Sequence, residues 1–328
     1  MLQIEGPRYE LAQLAHVELL TPKPEETLWF FTELLGLQES GRKGQSTYLR
    51  AYEDRYHHTL KVTEAPEAGL GHCAWRTTSE KALERRAAAL ERTGLGRGWI
   101  EGDEGHGRAY RFATPDGHSM ELIWDVDYVD VPEADRTRLL NRPQKRPGRG
   151  VPVRRIDHAN ILAADVRATT EFLMEHLGFR LHELMIHDEV GWLASFVAVT
   201  NLSHDLAVFS DPTGSRGRFH HVAYWYGFPQ HLYDAAELLK ENDITIEAGP
   251  GRHGISQGMF LYVYEPGGNR IELFGDSGYL VFDPTWEPVV WNFKDVPGYG
   301  DAWVGQVIPE VFYVYGTPVV GMPDPVEA

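Results

Sequence analysis

FLYVYEPGGNRIELF, residues 260–274, reads as a β-hairpin. Two aromatic and aliphatic runs flank Glu265-Pro266-Gly267-Gly268-Asn269, where proline fixes φ and glycine gives the freedom a tight turn needs. Strand period two puts Arg270, Glu272 and Phe274 on one face, with Tyr262 and Tyr264 together on the neighbouring strand. A carboxylate facing a protein interior is costly unless it is paired or bound to a metal. Taken alone, Glu272 reads as a salt-bridged strand residue. Two histidines in matching strand positions upstream open a second reading.

The hairpin is the last part of a module written twice. The first half carries Leu14-Ala-His16-Val-Glu18-Leu19, then Gly71-His72-Cys-Ala-Trp75, then Pro115-Asp-Gly-His118-Ser-Met-Glu121-Leu122. The second carries Ile156-Asp-His158-Ala-Asn160-Ile161, then His220-His221-Val-Ala-Tyr224, then Pro266-Gly-Gly-Asn-Arg-Ile-Glu272-Leu273. Successive His, His and Glu positions are separated by 56 and 49 residues in the first half and by 63 and 51 in the second. After each first strand the pattern predicts a helix, Pro24 to Leu35 and Val166 to Leu177, stopped by Leu-Gly (Leu35-Gly36, Leu177-Gly178). After each second histidine strand it predicts another, Glu80 to Glu91 and Gln230 to Glu241. The fold class is therefore α+β. Each of two tandem modules pairs β-α-β-β-β units into a curled, barrel-like mixed sheet around a cavity, with helices outside.

This division gives an N-terminal module over 1–140, a basic solvated linker over 141–153, a second module over 154–276 and a tail over 277–328. The tail is rich in Pro, Gly, Trp, Tyr and Val, and is expected to lie on the second module or a neighbouring subunit, with a homo-oligomer implied. The formal charge of −17 argues against sequence-independent nucleic-acid binding. Cys73 is the only cysteine, which excludes an internal disulfide and a thiolate cluster. No apolar run approaches the ~20 residues of a membrane helix. The N-terminus lacks the basic and apolar regions of a signal peptide, so a soluble cytoplasmic protein is expected.

His158, His221 and Glu272 come from three strands of one module. Two imidazoles and one carboxylate on one side of a divalent metal leave open positions, as in non-haem Fe(II) enzymes. The bland alternative is a pair of buried core histidines and a paired glutamate. His220 competes with His221, which is preferred because its register repeats His72 and the neighbouring side chain should point away.

With these pieces in hand, the two-copy arrangement resembles the vicinal-oxygen-chelate superfamily. The segment Phe219 to Glu272, with Arg155-Ile-Asp-His158-Ala-Asn160 and Gly249-Pro-Gly-Arg-His253-Gly254, resembles the type I extradiol ring-cleaving dioxygenases. The resemblance implies Fe(II), with Mn(II) as an option, held by His158, His221 and Glu272, and a catechol and O₂ as substrates. It also implies His204 as the acid–base histidine, Tyr262 as the donor to a substrate oxygen, His253 as a further pocket histidine and Asn160 as a pocket asparagine. Catechols with a carboxylate are handled in this family by an arginine just before the Gly-Pro-Gly loop. Here Ala248 stands there, and Phe196 stands at a tryptophan position, so a neutral, apolar-substituted catechol is expected.

The first copy keeps His16, His72 and Glu121, but Arg111 replaces Tyr262 and Glu18 replaces Asn160. A cation facing the carboxylate disfavours a metal, so this module is expected to bind no functional one. Two competing functions remain: a glyoxalase- or epimerase-like enzyme with ligands shared between modules, and a drug-sequestering binding protein.

Overall fold

The helices that pack the sheets here are short and apolar on one side, and two mixed sheets carry the rest. The computed structural model describes residues 9–294, 301–305 and 307–320. Expectations for the first eight residues and for the remaining tail positions lie outside the described residues. The first sheet comprises β1 (Leu11–Thr21), β2 (Gln38–Lys43), β3 (Ser46–Arg50), β4 (Leu60–Glu64), β5 (Gly69–Thr77), β6 (Gly96–Ile100), β7 (Ala109–Ala113) and β8 (Ser119–Ile123). The second comprises β9 (Arg155–Ala163), β10 (Arg180–His187), β11 (Gly191–Ala198), β12 (Leu206–Ser210), β13 (Arg218–Trp225), β14 (Ile246–Arg252), β15 (Met259–Tyr264), β16 (Arg270–Phe274) and β17 (Val289–Asn292).

The first sheet runs β2-β3-β4-β1-β5-β8-β7-β6, and the second repeats that order as β10-β11-β12-β9-β13-β16-β15-β14, with β17 added beside β10. The duplication and the α+β class expected from sequence are therefore present. The sheets are open rather than closed, because no hydrogen-bonded ladder joins β2 to β6 or β10 to β14 among the described residues. At the centre of each sheet β1 pairs antiparallel with β5, and β9 with β13, while β8 and β16 join in parallel.

Three helices lie close to their expected spans: α2 (Glu80–Arg92), α3 (Val166–Leu177) and α4 (Gln230–Glu241). Ser79 and Asp165 cap the first two through their side chains, at 3.1 Å to Ala82 N and 2.9 Å to Ala168 N. The remaining one differs. α1 covers Pro24–Trp29 only, and Phe30–Leu34 continues as a π-turn before Gly36 ends it at φ +68°. The aromatic pair Phe30 and Phe31 is fully buried there. The end of the linker also departs from expectation. Val151 and Val153 are buried, and their N–H groups donate to Leu34 O and Leu35 O. This strand-like stretch is packed between the modules rather than solvated.

Three buried polar residues tie the modules together. Glu265 accepts from Thr27 Oγ1 at 2.6 Å, and Asn269 Nδ2 donates to Leu20 O at 2.9 Å, so the deciding hairpin turn sits on the first module. His118 Nδ1 accepts from Thr114 Oγ1 at 2.8 Å, and its Nε2–H is shared between Leu162 O and Arg218 O, each at 3.0 Å. That tautomer is neutral. Burial pushes its pKa down from 6.5 to about 4. Between those values the unfolded chain takes a proton that the folded chain refuses, so stability is full above pH 6.5 and is lost as pH falls toward 4. At pH 4.5 the loss from this residue is about 2 kcal/mol. Chemical denaturation of the parent and His118→Asn should show the parent losing that much more stability than the variant between pH 7 and pH 4.5. Equal losses would exclude His118 as the titrating group.

Candidate metal centre

β9, β13 and β16 lie side by side, and their register decides which side chains meet. Ala223 stands opposite Glu272, and His221 opposite Asn160. His158 Nε2 lies 2.9 Å from Glu272 Oε2, His221 Nε2 lies 3.1 Å from the same oxygen, and the two nitrogens are 3.3 Å apart. All three residues are buried. The other carboxylate oxygen, Oε1, is buried without a hydrogen-bond partner. A divalent ion bound at ~2.0–2.2 Å by nitrogen and oxygen donors needs them about 3 Å apart. These donors have that spacing, and an unused oxygen beside them fits the same group.

The electrostatics follow from burial. For Glu272 burial opposes the charge, but the neighbouring His158 charge and the hydrogen bonds from His158 and His221 hold the carboxyl well below its ordinary range. For His158 burial opposes the charged form, and the Glu272 charge and bonds to Asp157 and Glu272 outweigh it, pushing the imidazole up to about 9. Asp157 is a residue that sequence reasoning missed. Its Oδ1 accepts from His158 Nδ1 at 2.9 Å and so turns Nε2 toward Glu272, the usual outer support of a ligating imidazole. Period two would send this immediate neighbour to the opposite face, which is why the pattern hid it.

His220 does not simply point away. A register shift between Phe219 and His221 leaves it in a bulge, with its Nδ1 2.7 Å from His221 Nδ1 and its Nε2 2.8 Å from Phe312 O. It braces His221 from behind. His204 packs over the His158 ring at 4.1 Å and faces Phe196 at 5.3 Å. Burial, then the nearby His158, hold His204 well below the ordinary imidazole range. Tyr262 stands opposite Glu272 on β15, and its hydroxyl lies 3.0 Å from His253 Nε2. Burial and the Glu272 charge push the phenol well above its ordinary value, so it stays protonated. Asn160 Oδ1 is buried without a partner.

One cavity touches these groups except Asp157 and His220, which stand behind the ligating imidazoles. It is lined by His158, Asn160, His204, His221, His253, Tyr262 and Glu272, with Phe196, Phe209, Ile255, Phe274, Ile308 and Phe312 as apolar walls and Asp301 as the further acid. Among the described residues neither lysine nor arginine lines it. Ala248 is fully buried beneath Tyr262 and Phe312 rather than at the cavity wall.

The first module repeats the register. Ala74 stands opposite Glu121, His72 opposite Glu18, and Arg111 opposite Glu121. Arg111 Nε donates to Glu121 Oε1 at 2.6 Å, the pairing its position suggested. The donors that converge are His16, His106 and Glu121, whose ligand atoms lie within 4.8 Å of one another. His106, in the loop after β6, carried no periodic signal and was missed.

Residues 13–122 and 155–273 match the family model described as "Glyoxalase/Bleomycin resistance protein/Dioxygenase superfamily". The chain is 56% identical over 315 residues to a metapyrocatechase of Geobacillus stearothermophilus, covering 96% of each. It is 41% identical over 300 residues to a manganese-dependent 2,3-dihydroxybiphenyl 1,2-dioxygenase of Geobacillus genomosp. 3, covering 90% of this chain and 94% of that one. Among solved structures, homoprotocatechuate 2,3-dioxygenase of Brevibacterium fuscum, in an anaerobic complex with 3,4-dihydroxyphenylacetate, superposes with a TM-score of 0.82 at 26% identity over 96% of each chain.

If the three donors act together on an ion, Glu272→Gln removes the only anion among them. Affinity for Fe(II) or Mn(II) in a calorimetric titration should fall by roughly 100-fold or more, beyond what loss of an outer support costs. A fall of less than about tenfold would exclude Glu272 as a ligand.

Proposed function

The chain belongs to the Glyoxalase/Bleomycin resistance protein/Dioxygenase superfamily and is an extradiol ring-cleaving dioxygenase, and we propose that it opens a neutral, apolar-substituted catechol held at His158, His221 and Glu272. The observation that carries this reading is the buried donor set itself, with an unpartnered carboxylate oxygen, opening onto a cavity that no lysine or arginine among the described residues lines. Fe(II) is the metal we favour. Mn(II) is the second choice, supported by the manganese-dependent relative. Bound there, either ion supplies a Lewis acid that favours loss of a catechol proton and a place where diol and O₂ meet.

The chain's own groups then have separate tasks. His204, neutral and with Nδ1 engaged by Ser203 Oγ at 3.2 Å, has Nε2 left to take the hydroxyl proton and return it after ring opening. Tyr262 O–H donates to His253 Nε2, because His253 Nδ1 is committed to Asp301 O, and it turns from that nitrogen to offer its proton to a substrate oxygen. Asn160 Oδ1 can accept from the second hydroxyl. Phe196, Phe209, Ile255 and Ile308 exclude water and suit an alkyl or aryl substituent. A carboxylated substrate would lose its hydration without finding a cation, and Asp301 would repel it.

The alternative of ligands shared between modules finds no support, since each convergent donor set among the described residues lies within one module. The exposed Phe282, Trp303 and Val307 of the tail support a homo-oligomer.

Metal-loaded protein mixed anaerobically with 2,3-dihydroxybiphenyl and then exposed to air should consume O₂ and yield a yellow ring-opened product. Binding of the catechol without O₂ uptake would overturn the reading. His204→Asn should lower kcat by about 10²- to 10⁴-fold while metal content stays constant. For the parent, kcat/KM on carboxylated catechols should be at least about tenfold below that on neutral ones.

A further inference from the structure

Four histidines gather in the first module, where the second carries its own set of four. His16 repeats His158, and His72 repeats His221. His58 precedes β4 by the same two positions by which His204 precedes β12, and the two strands hold equivalent places beside β1 and β9. His106 occupies the loop that in the second module holds His253. The rings of His58 and His106 lie 4.6 Å and 5.5 Å from that of His16. All of these side chains are buried or nearly so.

The bonds around the cluster orient its nitrogens inward. His72 Nδ1 donates to Glu18 Oε2 at 2.8 Å, and His106 Nδ1 donates to Gly107 O at 2.8 Å. Each ring is thereby left with a bare Nε2, the arrangement that a carboxylate or carbonyl imposes on a metal-bound histidine. His16 Nε2 and His72 Nε2 face each other at 2.8 Å, a gap that holds a single proton in the metal-free chain. Glu121 Oε2, 3.5 Å from His72 Nε2, is buried without a hydrogen-bond partner.

Arg111 is the residue that argues against a cation from sequence alone. In the structure it engages only Glu121 Oε1, and its side chain is 48% exposed, so its charge is largely screened by water. A guanidinium on the outer oxygen of a carboxylate is itself an outer support for the inner one. Lys61, the other nearby cation, is spent on Glu18 and Asp103 at 3.2 and 2.7 Å.

We propose that the first module holds a second metal ion, of the Zn(II) class, on His16, His106 and Glu121, with His72 Nε2 as fourth donor. Three imidazoles and one carboxylate are a donor set that favours zinc, and four protein donors would leave no position for substrate. Its role is to staple β1, β5, β8 and the His106 loop. The site uses none of the residues assigned to ring cleavage and stands or falls independently of that assignment.

The test is a metal count. Full-length parent protein, Glu121→Gln and Glu272→Gln are stripped, reloaded with excess Zn(II), desalted and measured by elemental analysis, with circular dichroism melts to show that each is folded. The expected counts are two ions per chain for the parent and one for each variant. Co(II) in place of Zn(II) should give the strong visible bands of a four-coordinate ion in Glu272→Gln, at least tenfold weaker when Glu121→Gln is added. Should Glu121→Gln fail to fold, His106→Gln carries the same expectation. Either first-module variant holding as many ions as the parent overturns the proposal.

Discussion

A carboxylate in a dry sheet interior must find positive charge, and Glu272 finds it only if two other strands bring imidazoles to the same point. The cost of leaving it alone is several kcal/mol, more than most single packing contacts return. The strand pairing satisfies this need. β13 sits between β9 and β16, so His158 and His221 flank the Glu272 carboxylate from consecutive strands. The chain of alternating charge continues outward, from Glu272 to His158, from His158 to Asp157 at 2.9 Å, and from Asp157 to Arg155 at 2.7 Å. Each member is buried or partly so, and each leaves its neighbour uncompensated if removed. A cation at the centre relieves the innermost pair without changing the strands.

The duplicated module shows how one register serves two chemistries. Position for position, Tyr262 and Arg111 stand opposite the glutamate, and Asn160 and Glu18 stand opposite the second histidine. In the second module those partners are neutral and look into a cavity with apolar walls. In the first they are charged and occupy the equivalent space themselves: Glu18 reaches His72 and Lys61, and Arg111 caps Glu121. A cavity that admits an apolar ring needs neutral walls near the ion. A closed ionic cluster needs no such room, and its geometry suits a structural role.

The duplicated module and its facing residues were legible in the sequence, because period two and a repeated spacing constrain both. His158, His221, Glu272 and the Arg111–Glu121 pairing came from that arithmetic, and the role of Tyr262 from the family resemblance. Three features were not legible, each for a physical reason. The bulge at His220 breaks the alternation locally, so a neighbour expected on the far face braces His221 instead. His106 lies in a loop, where no period says which way a side chain turns, and His253 in the equivalent loop came only from the family resemblance. Asp157 reaches its own sequence neighbour, a contact that alternation forbids and only the twist of β9 near a register shift permits.

The tail was legible as an unusual composition but not as a wall of the site. Its short helix α5 (Val311–Val314) sets Phe312 over the Tyr262 ring at 4.7 Å and gives Phe312 O to His220 Nε2. Thr317 pairs with Phe219 as one more rung of strand, and Arg270 and Arg218 donate to Tyr315 O, Val314 O and Gly316 O. These are buried guanidinium groups whose donors the tail satisfies, so the tail is bound by the same need for pairing that fixes Glu272. His220 is held from one side by His221 and from the other by a tail carbonyl. The placement of the second histidine thus depends on a segment some ninety residues further along, beyond the repeat that supplies the donors.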